Sequence, residues 1–138
     1  AEPALVSGRG ELLESWDFNF SPETFITVAY PGIHVSTREA FQGIVPQPSE
    51  SDFHALAKTP LSEWHLILRN DFQSVMEVRH PTIRQVRELL ESHGALYSQM
   101  TGTGSACFGL FSSEELALNA CSAAHKKGWV AHASRAQR

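Results

Sequence analysis

Two segments fix most of the architecture that this chain can adopt. HPTIRQVRELLESHG (80–94) opens a helix with Pro81 and stops it with Gly94, and Ile83, Val86, Leu89 and Leu90 fall on one face. Arg84/Glu88 and Arg87/Glu91 are spaced to pair at i,i+4. SSEELALNACSAAHKKG (112–128) repeats the plan. Ser112 and Glu115 have the spacing of a capping box, and Leu116, Ala120, Ala123 and Ala124 face one way. Lys126 and Lys127 suit the negative C-terminal end, and Gly128 stops it. Between the helices lie two strand-length runs, ALYSQM and SACFGLF, joined by Thr101-Gly102-Thr103-Gly104. A strand is needed on either side to complete a sheet, and both are present. ETFITVAYPG (23–32) is β-branched and aromatic and stops at Pro31-Gly32. WVAHASRA (129–136) alternates. The order β-α-β-β-α-β predicts an α+β, ferredoxin-like split βαβ fold. Its four-stranded antiparallel sheet carries helices on one face.

A helical insert separates the first strand from the first long helix. STREAFQG (36–43) reads as a short helix with a Ser or Thr cap and a glycine stop. IVPQPSES (44–51) reads as a loop, and DFHALAKT (52–59) as a helical turn. TPLSEWHLILRNDF (59–72) predicts a helix capped by Thr59 with Pro60 at its first position. Leu61, Trp64, Ile67, Leu68 and Phe72 would share its buried face. A break near Asn70-Asp71 would lead into another helix, FQSVMEVRH. ALVSGRGELLESW (4–16) reads as two short strands about Gly8-Arg9-Gly10. The expected division is a hairpin and linker at 1–22 and a folded domain at 23–138.

Composition narrows the function classes. A chain of 138 residues fits one domain with a short appendage. A net charge of −4 and a pI near 6.0 give no general attraction to nucleic acid or to an anionic membrane. No apolar run approaches the ~20 residues of a membrane span. AEPALVSGRGELLE lacks a basic region followed by an apolar one, so no signal peptide is expected there. Cys107 and Cys121 are isolated thiols, which fits a reducing compartment and an expected cytoplasmic location. Cys107, among apolar neighbours, reads as a small core residue.

Histidines stand at 34, 54, 65, 80, 93, 125 and 132. None has H-x-H or H-x-x-x-H spacing and there is no C-x-x-C, so no metal site is expected. No G-x-S-x-G elbow is present. Gly102-x-Gly104 lies between strands, whereas a dinucleotide fingerprint opens a helix, and no lysine follows to make a Walker A loop. Two readings of this loop stay open. It is a hairpin turn whose glycines supply positive φ, or a concave run of N–H groups and Thr101, Thr103 and Ser105 hydroxyls that can hold an anion.

PGIHVSTREAF, NDFQSVMEVRHP and ESHGALYSQMTGTGSACFGLF, in this order, resemble the C-terminal half of GHMP-family small-molecule kinases. The resemblance runs from about Gly8 to the end of the chain. MTGTGSACFG resembles the family's third glycine-rich motif, and HVSTREAF after a Pro-Gly strand end narrows the likeness to the cytidyl-erythritol kinase branch. The resemblance implies ATP-dependent phosphorylation of a hydroxyl on a diphosphocytidyl-bearing methylerythritol, a step of non-mevalonate isoprenoid biosynthesis. It implies ATP and Mg2+ as cofactors of the full-length enzyme, with none expected on this chain alone. Phe41 matches an aromatic on the cytidine side of the substrate pocket, and Thr37 the threonine beside it; Arg38 is given no role. Thr101, Gly102, Thr103, Gly104 and Ser105 match the loop that closes over the phosphate end. The family's GLGGGSSNAA-like loop, catalytic lysine and aspartate have no counterpart here. No catalytic residue and no turnover are therefore expected of the chain alone. Its expected partners are a small-molecule substrate and the missing N-terminal domain, with no nucleic acid and no membrane. Alternatives are a stand-alone, ligand-binding regulatory module of the same fold, or another branch such as homoserine or mevalonate kinase. Locally, Phe41 can also be read as a buried helix residue and Thr37 as a cap.

Overall fold

Phe25, Thr27 and Ala29 alternate with Ile26, Val28 and Tyr30, and this period of two gives the sheet its faces. The computed structural model describes residues 4–16, 18, 20–45, 47 and 51–136. Much of the loop expected at 44–51 and the first three residues lie outside them. The elements are β1 (Ala4–Ser7), β2 (Leu12–Ser15), β3 (Phe25–Tyr30), α1 (Thr37–Phe41), 3-10 turns at Phe53–Lys58 and Leu61–Leu66, α2 (Asp71–Arg79), α3 (Pro81–Ser92), β4 (Tyr97–Met100), β5 (Cys107–Phe111), α4 (Glu114–Lys126) and β6 (Val130–Arg135). β1 and β2 form a separate hairpin. The main sheet has the order β4-β5-β3-β6 with every neighbour antiparallel, the ferredoxin-like arrangement that the pattern predicts.

α3 and α4 cover one face. Ile83, Val86 and Leu90 of α3 and Ala117, Ala120 and Ala124 of α4 meet Phe25, Ala29, Cys107 and Phe111. Thr27 is buried on this face because its hydroxyl donates to the Ala117 carbonyl at 2.8 Å. Gly109 lets α3 lie close on β5: a Cβ there would stand 3.1 Å from that of Ala95 and 3.2 Å from that of Leu90.

The insert packs on the opposite face, over β4 and β5. Leu56 and Trp64 meet Tyr97 and Leu110, and Trp16, Phe18 and Phe20 join the cluster. Trp64 crosses Tyr97 at 5.9 Å, and Trp16 stacks on Phe18 at 4.6 Å. The cover stops halfway. Val28, Tyr30 and Val130, on the β3/β6 half of this face, are exposed.

Four local expectations are corrected. Residues 59–72 do not form one helix. The Thr59 hydroxyl donates back to Ala55, and the Trp64 indole donates to the Thr59 carbonyl at 3.0 Å. Leu61, Trp64 and Ile67 recur every third residue, which fits a 3-10 turn better than an α-helix. Thr59 and Pro60 therefore do not start an α-helix; the break at Asn70 does, and Asn70 caps α2. Ser113, not Ser112, caps α4 by accepting from Leu116 N, and Glu115 completes no capping box with Ser112, because β5 runs to Phe111 and delays the helix. Arg84 turns from Glu88 to Glu77 at 3.2 Å, while Arg87 holds Glu77 at 2.8 Å and also Glu91. Glu77 is buried, and a buried carboxylate draws its partners from wherever the fold supplies them.

Both cysteines are buried and unpaired. Burial, reinforced by the nearby Glu77 charge, pushes the Cys107 thiol up to about 12, and burial raises Cys121 as well. Only a thiolate is a good nucleophile. Cys107 is therefore expected to resist an aromatic disulfide reagent at pH 8 in the native chain and to react after unfolding in guanidinium. Native reaction of Cys107 at the rate of free cysteine would contradict its place in the core.

Candidate functional site

The strand register gathers the predicted site residues at one end of the sheet. Cys107 stands opposite both Ala29 and Met100, so β3 and β4 end where β5 begins. The segment leading to α1 and the loop at 101–106 leave from that end together. Ser105 joins them. It is buried, and its hydroxyl donates to the Ile33 carbonyl, so it is committed within the fold.

The loop is a hairpin turn with free donors. Thr101 N donates to Ala106 O at 2.9 Å and Gly104 N to Thr101 O at 3.0 Å. Gly102 has φ +55 and Gly104 φ +97, left-handed values that glycine takes without strain. The Thr101 and Thr103 hydroxyls make no hydrogen bond to any described residue, and Thr101 is exposed. Asn70 fixes the loop from α2. Its Nδ2 donates to Met100 O and to Gly102 O, both at 2.8 Å, while its Oδ1 accepts from Phe72 N at 2.9 Å. Gln73 Oε1 accepts from Met100 N at 2.9 Å.

α1 presents the other two residues. Ser36 is its cap, accepting from Glu39 N at 3.1 Å, which leaves Thr37 as an exposed first residue with no capping role. Phe41 is not a buried helix residue: it is 58% exposed, and its ring meets that of Phe72 edge-on at 5.0 Å. Thus α2 touches both parts, Phe41 through Phe72 and the loop through Asn70. Sequence reasoning named Thr37, Phe41 and the loop as candidates but not Asn70 or Gln73. The only local signal for Asn70 was a helix break.

Two hollows border the rest of the surface, and the first reaches Asn70 and Gln73. A polar groove of about 590 Å³ follows the free edge of β4, lined among others by Gln73, Glu77, Arg87, Tyr97 and Gln99. An apolar hollow of about 350 Å³, lined by Leu5, Trp16, Phe53 and Trp64 among others, lies between the hairpin and the insert. Neither includes Thr37, Phe41 or residues 101–105. Thr37, Phe41, Thr101 and Gly102 are exposed, so a ligand resting on them is enclosed only when a second surface faces it. Among the described residues no three His, Cys, Asp or Glu side chains converge on a metal position, and no helix is long and apolar enough to cross a membrane.

Comparison with known proteins agrees with the fold and with the family resemblance. The family model described as GHMP kinases C terminal matches residues 52–130. A 4-diphosphocytidyl-2-C-methyl-D-erythritol kinase of Bacteroides thetaiotaomicron is 40% identical over 112 residues, 81% of this chain and 40% of the relative. The kinase of the same name from Citrifermentans bemidjiense is 35% identical over 136 residues, 97% of this chain and 48% of the relative. A crystal structure of 4-(cytidine 5'-diphospho)-2C-methyl-D-erythritol kinase superposes with a TM-score of 0.72 at 25% identity, covering 94% of this chain and 48% of that one. A homoserine kinase from Cytophaga hutchinsonii shares the fold, with a TM-score of 0.65 at 17% identity. The chain thus spans somewhat less than half the length of these relatives. It belongs to the GHMP kinase C-terminal domain family.

Proposed function

We propose that the chain is the substrate-side C-terminal domain of an ATP-dependent kinase that phosphorylates 4-diphosphocytidyl-2-C-methyl-D-erythritol in non-mevalonate isoprenoid biosynthesis in the cytoplasm. The observation that carries the reading is an exposed Phe41 on a helix joined, through Phe72 and Asn70, to a loop with free donors. The names of the relatives at 34–40% identity support the substrate.

In this reading the cytosine ring lies against Phe41 and within reach of the Thr37 hydroxyl. The Thr101 and Thr103 hydroxyls and loop N–H groups face phosphoryl oxygens. Phosphoryl transfer depends on positioning and on offsetting phosphate charge. This chain supplies part of the positioning. ATP, with its Mg2+, supplies the phosphoryl group and is held mainly by the half that the relatives carry beyond this chain. Loop donors fit phosphate oxygens, but no described cluster fits the metal, so the chain is given no metal-binding step.

In the full-length kinase, Phe41→Ala is expected to raise KM for the cytidyl substrate roughly tenfold, as loss of a base–aromatic contact does, and to leave KM for ATP within about twofold. Equal effects on both, or none, would remove Phe41 from the pocket. The purified 138-residue chain is expected to show no turnover. ATP-dependent phosphorylation by it alone would overturn the division of labour, and a panel including homoserine and mevalonate tests the substrate.

A further inference from the structure

We infer that Glu39 and His80 form a latch that sets the orientation of α1 and so positions Phe41 for the substrate ring. The inference rests on the reading of Phe41 given above. α1 has five residues, too few to persist by its own hydrogen bonds, and only Ala40 of it is fully buried. Its orientation must come from contacts with its surroundings: Ala40 enters the core, Phe41 meets Phe72, and the polar contacts converge on one residue. Glu39 N donates to the Ser36 hydroxyl at 3.1 Å. Glu39 O accepts from Arg79 Nη1 at 2.7 Å. Glu39 Oε1 accepts from His80 Nε2 at 2.8 Å. Glu39 is fastened at backbone donor, backbone acceptor and side chain, two residues before Phe41.

His80 is a firm post for this contact. It ends α2 and immediately precedes α3, with φ −130 and ψ 80. Its N–H donates to Met76 O at 2.8 Å, and its carbonyl accepts from Ile83 N at 2.9 Å. Met76 and Ile83 are fully buried, so the corner is tied to the core on both sides. The pair itself is half-buried, with side-chain exposures of 26% for His80 and 33% for Glu39. Partial burial of both groups strengthens such a contact relative to a solvated surface pair. Arg79 and His80 thus clamp one turn of α1 against the α2–α3 corner. Phe41 then meets Phe72 of the same α2. His80 is a positioning residue here: it has no place at the substrate.

The test has two parts. In the 138-residue chain, hydrogen exchange is read at the amides of Ala40, Gln42 and Gly43, whose bonds hold α1. Glu39→Ala and His80→Ala are each expected to speed exchange there about fivefold, the double variant no further, with β4 and β5 unchanged. Glu39→Gln keeps an acceptor and is expected to stay near the parent. Unchanged exchange in α1, or an equal rise in β4 and β5, overturns the latch. In the full-length kinase, Glu39→Ala is expected to raise KM for the cytidyl substrate about fivefold with kcat and KM for ATP held, and Glu39→Gln to restore it. Loosened α1 with unchanged KM overturns the positioning role. The Phe41→Ala measurement separately reports whether the pocket reading has failed.

Discussion

Asn70→Ala is expected to lower the unfolding free energy by about 2–4 kcal/mol, the sum of a lost helix cap and a Met100 carbonyl left without its donor. Asn70 makes three hydrogen bonds with one amide group, to Met100 O, Gly102 O and Phe72 N. Met100 is buried, so water does not readily replace the donor to its carbonyl. The melting temperature is expected to fall by roughly 5–12 °C for a domain of this size. Asn70→Asp separates the two roles. Its carboxylate can still cap Phe72 N, but it brings negative charge against two carbonyl oxygens. It is expected to keep α2 intact and to loosen residues 101–104 at least as much as alanine does. Thermal melts and amide exchange across 101–104 check both variants. A fall below about 1 kcal/mol, or an aspartate variant that matches the parent, would show that Asn70 does not hold the loop.

Gly104→Val is expected to reduce kcat of the full-length kinase at least tenfold, while the fold survives with a loss of about 1–3 kcal/mol. Two costs add. A β-branched residue resists the φ of +97 found here, and a Cβ would stand 2.8 Å from Met100 Sδ. Met100 is a buried core residue on β4, so the clash passes from loop to core. An unbranched methionine can move aside, which is why unfolding is not expected. Gly102→Ala is the comparison. Its φ is +55 with nothing within 4 Å of an added Cβ, so only the backbone cost of about 1–2 kcal/mol remains. Similar melting temperatures for the two variants would mean that the Met100 contact carries no weight. Global unfolding of Gly104→Val by circular dichroism would make the loop structural before functional.

The sequence carried the fold wherever a periodic stripe coincided with end signals. Pro81 to Gly94 is the clearest case, with apolar positions and both stops in agreement. The segment at 59–72 misled because Thr-Pro announces an α-helix, while its stripe repeats at the three-residue interval of a tighter turn. Ser112 misled as a cap because Glu115 stands three residues on, at capping-box spacing, while the helix begins one residue later under Ser113. The candidate site was legible only in part. Phe41, Thr37 and the glycine loop stood in recognisable runs, but their exposure and burial did not. Ser105 read as a free hydroxyl and is committed to Ile33. Asn70 reaches a loop about thirty residues away, and Glu39 meets His80 forty-one residues on. Local periodicity holds no record of such pairs.

The half-covered second face has a consequence for the electrostatics at the loop. Tyr30 and Val130 are paired at the end of β3 where the chain turns toward α1, and both are exposed. An apolar surface laid on them would displace water from the same end of the sheet that carries residues 101–105. Driving out that water lowers the local dielectric, and each dipole aimed at an anion there then acts several times more strongly than in the open. Covering Tyr30 and Val130 would thus bear on how firmly the N–H groups and hydroxyls at that end of the sheet grip a charge.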